Sequence, residues 1–158
     1  MALCGMRPIS PVAGGILAIV VGAAFPVCSA AAGDLSLKVR VDGFKSEAGQ
    51  VFVCLWEKET NFPKCEPGNS AKRISAKISG GFAEASFDGL VAGKRYAVSV
   101  HHDENGNGIV EKSARGISLE GIGISGNPLF TPVTIGFGRN SFEMKPNLAP
   151  VVIHIKHM

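Results

Sequence analysis

Leu35, Leu37, Val39 and Val41 alternate with Ser36, Lys38 and Arg40. A period of two over this stretch predicts a strand with one buried face. Gly43 to Gly49 is polar and turn-like, and Gln50 to Trp56 follows as an unbroken run, Val-Phe-Val-Cys-Leu-Trp after Gln50. Such a β-rich run predicts a strand covered on both faces. Asn61 to Asn69 holds two prolines and a glycine and reads as a loop. Alternation returns through Ile74, Ala76 and Ile78, breaks at Gly80-Gly81, and resumes through Ala83, Ala85 and Phe87. The paired glycines predict a tight turn between two strands. Leu90 to Gly93 leads into a further strand at Tyr96 to Val100, and Val151 to Ile155 is the last.

No stretch after residue 33 keeps a helical period for three turns. Short strands punctuated by Gly and Pro predict an all-β fold: a single β-sandwich, immunoglobulin- or transthyretin-like, of about seven strands. Eight glycines fall between Gly106 and Gly138. This density predicts a long Gly-rich loop rather than regular core.

The first thirty residues differ in kind. Arg7 is the only charge before Asp34, an apolar run follows from Val12 to Ala24, and the small residues Ser29 to Gly33 close the segment. A positive start, a short apolar core and a small-residue end predict a secretory signal peptide over residues 1–32, cleaved after Ala32 or, less favoured, after Ala30. The apolar run is too short and too Gly-rich for a spanning helix, which needs about 20 apolar residues. Phe25-Pro26-Val27 before Cys28 fits a lipobox poorly, so Cys28, like Cys4, is read as discarded. Residues 33–158 then form one domain, periplasmic or secreted, with no membrane span after signal removal.

Without Arg7 the domain keeps 15 basic residues against 13 acidic ones. This balance, with no basic cluster, argues against a nucleic-acid partner. Cys54 and Cys65 remain as an even pair, with no Cys-x-x-Cys spacing. In an oxidising compartment they predict a disulfide, the alternative being two buried thiols.

The densest candidate chemistry lies at 101–111, His-His-Asp-Glu-Asn-Gly-Asn-Gly-Ile-Val-Glu. Asp103, Asn105, Asn107, Gly108, Ile109 and Glu111 fall at positions 1, 3, 5, 6, 7 and 9 of an EF-hand-type calcium loop. The twelfth position is Ala114 rather than a bidentate Glu, so Glu120 or backbone oxygens would have to complete a calcium shell. Asp, Asn and Gly in this pattern also make metal-free turns, through side-chain-to-backbone hydrogen bonds. Both readings stand at this point. In either, Asp103, Asn105, Asn107 and Glu111 are expected to turn their oxygens inward around Gly108.

Gly121 to Gly126 matches G-x-G-x-x-G, but Asn127-Pro128 follows at once, so no helix N-terminus receives a phosphate. Gly123-Ile124-Ser125-Gly126 lacks the spacing and setting of a nucleophile elbow. His101 and His102 are adjacent on a predicted strand and point to opposite faces, which keeps them from sharing one metal.

Around this loop the sequence resembles the bacterial secreted domain-of-unknown-function family numbered 2141. The residues that carry the resemblance are Gly93-Lys94-Arg95-Tyr96-Ala97-Val98, His102 to Gly108, and Arg115 to Asn127. Ser118 replaces a family proline, Ile122 and Ile124 stand where aromatic residues are usual, Gly126 is inserted before Asn127, and Glu111 replaces an Asp. The resemblance implies an exported β-domain and no established activity. The Leu90-x-x-Gly93-x-x-Tyr96 lead-in is also similar to transthyretin-like and collagen-adhesin B-type sandwiches.

Two functions follow as expectations. The first is a non-enzymatic binding or structural module with an extracytoplasmic ligand, protein or carbohydrate, and a loop that calcium orders in one of its two readings. The alternative is a periplasmic hydrolase using His102 with Asp103, Glu111 or Glu120.

Overall fold

The computed structural model describes residues 35–116, 118–131 and 133–157. The expected signal segment, its cleavage site, Cys4 and Cys28 lie outside these residues. Eight strands and one helical turn follow in order: β1 (Leu35–Asp42), β2 (Gln50–Trp56), β3 (Lys72–Ala76), β4 (Phe82–Leu90), β5 (Arg95–Asp103), β6 (Gly121–Ile124), α1 (Phe137–Asn140), β7 (Phe142–Glu143) and β8 (Val151–His154).

The strands form two sheets. One holds β4, β1 and β8 in that order, with β8 parallel to β1. The other runs β3, β2, β5, β6, and β7 pairs the start of β5. The alternating residues of β1 explain the packing between them. Leu37, Val39 and Val41 are buried while Ser36, Lys38 and Arg40 are exposed. The buried row meets Ala83, Ala85 and Phe87 of β4 and Ile153 of β8 in one core with Val51, Val53, Leu55, Tyr96, Val98 and Val100 of the larger sheet. This is the expected sandwich.

The larger sheet is also covered on its far face, as the unbroken apolar run of β2 predicts. Phe52, Cys54, Trp56 and Ala97 form a second cluster there with Cys65, and Phe62 and Phe137 pack against it. Cys54 and Cys65 are joined by a disulfide. The bridge pins the 57–71 loop down onto the sheet, and Trp56 Nε1 donates to Ser99 Oγ at 2.8 Å beneath it.

Two expectations need correction. Residues 106–138 are not one loop, because β6 lies inside them and pairs with β5 through Ser99↔Ile124 and His101↔Ile122. The reason is packing. A Cβ on Gly121 would come within 2.5 Å of the Ile155 side chain, and one on Gly123 within 2.6 Å of Ile153. These glycines are strand residues that admit the Ile155 and Ile153 side chains, not chain breakers. The described residues hold eight strands, in keeping with the expected sandwich of about seven. The expected strands at 72–78 and 151–155 end earlier, at Ala76 and His154.

A cleft on the outer face of β5 and β6

Residue by residue, β5 sends its histidines to opposite sides. Phe52 pairs with His101 and Val51 with His102, so His101 shares the outer face with Phe52 while His102 shares the inner one. Both side chains are buried. This separation is the one the sequence predicts.

On the outer face, His101 Nε2 donates to Glu120 Oε2 at 2.7 Å. Glu120 is itself buried and takes two more hydrogen bonds, from the Glu104 amide to Oε1 and the Glu111 amide to Oε2. Glu120 thus ties β5 to both ends of the 103–111 loop. With Nε2 donating, the acceptor nitrogen of His101 is Nδ1, and it is buried with no hydrogen-bond partner among the described residues.

His101 lines a cleft of about 270 Å³. Ile122 and Ile124 of β6 form its floor beside the histidine, Cys65 and Pro63 of the disulfide-pinned loop form one wall, and Val110, Ser118 and Ile135 close the others. The lining is mostly aliphatic. Lys64, Lys112 and Glu66 stand among the remaining lining residues. Ser118 Oγ donates to the Glu120 carbonyl at 2.9 Å and is not directed at His101 by any hydrogen bond. Farther along the same face, Arg73 lies 3.4 Å over the Phe52 ring. Burial lowers the pKa of Arg73 from its ordinary value, and nearby Asp103 opposes that shift.

Within the loop, most of the side-chain oxygens accept from backbone amides. Asp103 Oδ1 accepts from the Gly106 and Asn107 amides, and Oδ2 from the Gly108 amide at 2.8 Å. Asn105 Oδ1 accepts from the Asn107 amide and Asn107 Oδ1 from the Ile109 amide. Asn107 Nδ2 donates to Glu111 Oε1 at 3.0 Å. Gly106 and Gly108 both take positive φ, the left-handed conformation such a turn requires. The Ile109 side chain is exposed.

His102 is brought to none of these groups. Its Nε2 donates to the Ala48 carbonyl at 2.9 Å, and its ring packs edge-on against Phe44. Beside it stands His157, two residues past the last expected strand. Burial holds the His157 imidazole below its ordinary 6.5; Lys45 and His102 push the same way, while Glu104 and the Gly43 backbone oppose. Nothing in the local sequence signals that pairing, because the chain after β8 reaches this end of the sheet through a bridge between Lys156 and Ile122 of β6.

A family described as an uncharacterized protein conserved in bacteria (DUF2141) matches residues 39–151. No curated protein and no solved structure matches the chain.

Proposed function

Since this chain belongs to the bacterial family DUF2141, matched over more than two thirds of its length, we propose that it is an exported, non-enzymatic binding module whose ligand occupies the cleft over β5 and β6. The observation that carries this reading is a mostly aliphatic cleft lined by His101, whose Nδ1 is buried with no hydrogen-bond partner among the described residues. Ligand sites are typically apolar cavities with a few placed polar groups. An acceptor nitrogen with no partner leaves a buried polar group unsatisfied, which costs about 1–3 kcal/mol. A ligand that donates one hydrogen bond removes that cost.

The cleft therefore favours a small, mostly apolar molecule bearing one hydroxyl or N–H. Its volume lies just below the roughly 300–1,000 Å³ typical of ligand pockets, which speaks for a compact ring or short chain over a polypeptide or sugar polymer. Export is supported by the disulfide and by the signal-like start of the sequence. Among the described residues no helix is long and apolar enough to cross a membrane.

The hydrolase reading draws less support. His102 faces the opposite side of the sheet from Glu120, and the Asp103 carboxylate accepts three amide hydrogen bonds. Neither group lines the cleft.

The test is equilibrium binding of 4-methylphenol and of toluene to the purified protein. One net hydrogen bond contributes about 0.5–1.5 kcal/mol, so the phenol should bind roughly fivefold tighter. In His101→Phe the preference should vanish. Equal affinities in the wild type, or no binding of either, would contradict the reading.

A further inference from the structure

We propose that His102, Glu104 and His157, on the inner side of the same sheet end, form a binding site for a divalent transition metal ion such as zinc. The proposal does not rest on the cleft, which lies on the other face of β5.

The donor atoms are already gathered. His102 Nδ1 lies 3.6 Å from Glu104 Oε1, and His157 Nδ1 lies 3.7 Å from the same oxygen. All three ligand atoms fall within 4.8 Å of one another. In such a triangle the point equidistant from the three is no more than roughly 2.4 Å from each, against the 2.0–2.2 Å of zinc bonds to nitrogen and carboxylate oxygen. Small side-chain rotations would close that difference, with the His157 ring exchanging its backbone hydrogen bond to Gly43 for the ion.

The second observation is the state of the His102 ring. Its side chain is fully buried, and Nδ1 has no hydrogen-bond partner. Nε2 donates to the Ala48 carbonyl, and because a carbonyl only accepts, the lone pair sits on Nδ1, on the side of Glu104. A histidine held by a backbone carbonyl through one nitrogen, with the other free, is the arrangement of a metal ligand. Without a metal, that buried nitrogen is unsatisfied. The Glu104 amide donates to Glu120 Oε1, which fixes the backbone that presents the carboxylate.

The chemistry of the donors selects the ion. Two imidazole nitrogens and one carboxylate suit zinc and its first-row neighbours, whereas calcium and magnesium take all-oxygen shells. Glu104 is partly exposed at 35%, so the open side of the triangle faces solvent and leaves a position for water. Lys45 is a nearby positive charge that opposes a cation.

The full-length protein, stripped with chelator, is titrated with zinc chloride by calorimetry and with cobalt(II) chloride by visible absorption. One equivalent should bind with Kd of about 1 µM or below. The cobalt form should show the intense visible bands of a low-coordinate nitrogen-and-oxygen site, and melting should rise by several degrees. Glu104→Gln and His157→Gln should each weaken binding at least tenfold. His154→Gln, which alters a separate surface pair with Asp42, should bind as the wild type does. Absence of binding at about 100 µM zinc, unchanged binding in Glu104→Gln, or loss of binding in His154→Gln would each overturn the proposal. Should His157→Gln fail to fold, Glu104→Gln decides alone, since Glu104 contributes no packing to the core cluster.

Discussion

His101 and Glu120 meet at 2.7 Å with both side chains buried, and this contact joins the central strand to the segment that closes the 103–111 loop. Removing the carboxylate strands three donors at once: His101 Nε2 and the amides of Glu104 and Glu111. Each unsatisfied buried group costs about 1–3 kcal/mol. Glu120→Ala should therefore lower unfolding stability by about 3 kcal/mol or more, and Glu120→Gln by less, because its amide oxygen still accepts. Urea denaturation checks this. A loss below about 1 kcal/mol for Glu120→Ala would mean the pair is dispensable.

Asp103 holds its loop through three amide hydrogen bonds. If these amide hydrogen bonds alone hold the turn, the melting temperature should be the same in millimolar calcium as in calcium chelator. Asp103→Ala should melt lower than the wild type under both conditions. A calcium-dependent rise that reverses on chelation and is absent from Asp103→Ala would instead establish the calcium reading of residues 103–111.

Gly49 sits against the strand end that leads into this loop. A Cβ there would lie 1.9 Å from the Asp103 carbonyl oxygen, and its φ is +73°. Gly116 has a similar φ of +75° but open space around it. Left-handed backbone alone costs a side chain about 1–2 kcal/mol. Gly116→Ala should cost about that much and Gly49→Ala clearly more, because backbone atoms must move. Equal losses in chemical denaturation would show that the close approach is relieved without cost.

Cys54 and Cys65 should appear as one linked peptide pair on non-reducing digestion of the exported protein, whose mass should place its start near Gly33. Closing a loop of 11 residues contributes at most about 3 kcal/mol in the chain-entropy account. Reduction should therefore lower the melting temperature and loosen the wall of the cleft that Cys65 forms. Two free thiols at these positions, or a mass retaining Met1, would contradict the export argument.

Much of this fold was legible because local patterning and tertiary packing agree. The alternation of β1 matches its burial from Ser36 to Val41, and the unbroken apolar run of β2 matches its two covered faces. The opposed directions of His101 and His102 follow from strand geometry alone. β6 was not legible, because Gly121 and Gly123 carry a chain-breaker signature for a reason that only the packed Ile155 and Ile153 side chains reveal. The cleft was hidden as well. Its walls come from Pro63 and Cys65, from Val110 and Ser118, and from Ile135, and no periodicity links segments so far apart. Glu120 stood out in the sequence only as one of the groups that could complete a calcium shell or serve a hydrolase, and its contact with His101 was not legible there. His157 gave no signal, since its neighbour His102 lies 55 positions earlier in the chain.

Whether a ligand sits over β5 and β6 is read out by methyl-resolved NMR. The Ile122, Ile124 and Ile135 methyls are followed while 4-methylphenol is added to the wild type and to Val110→Trp, where the larger ring fills the cleft from its partly buried wall. The expected result is saturable shifts concentrated on these three methyls in the wild type, and none in Val110→Trp at unchanged melting temperature. Shifts that scatter over the core methyls of Ile74 and Ile153, or that persist in Val110→Trp, would contradict a ligand site in this cleft.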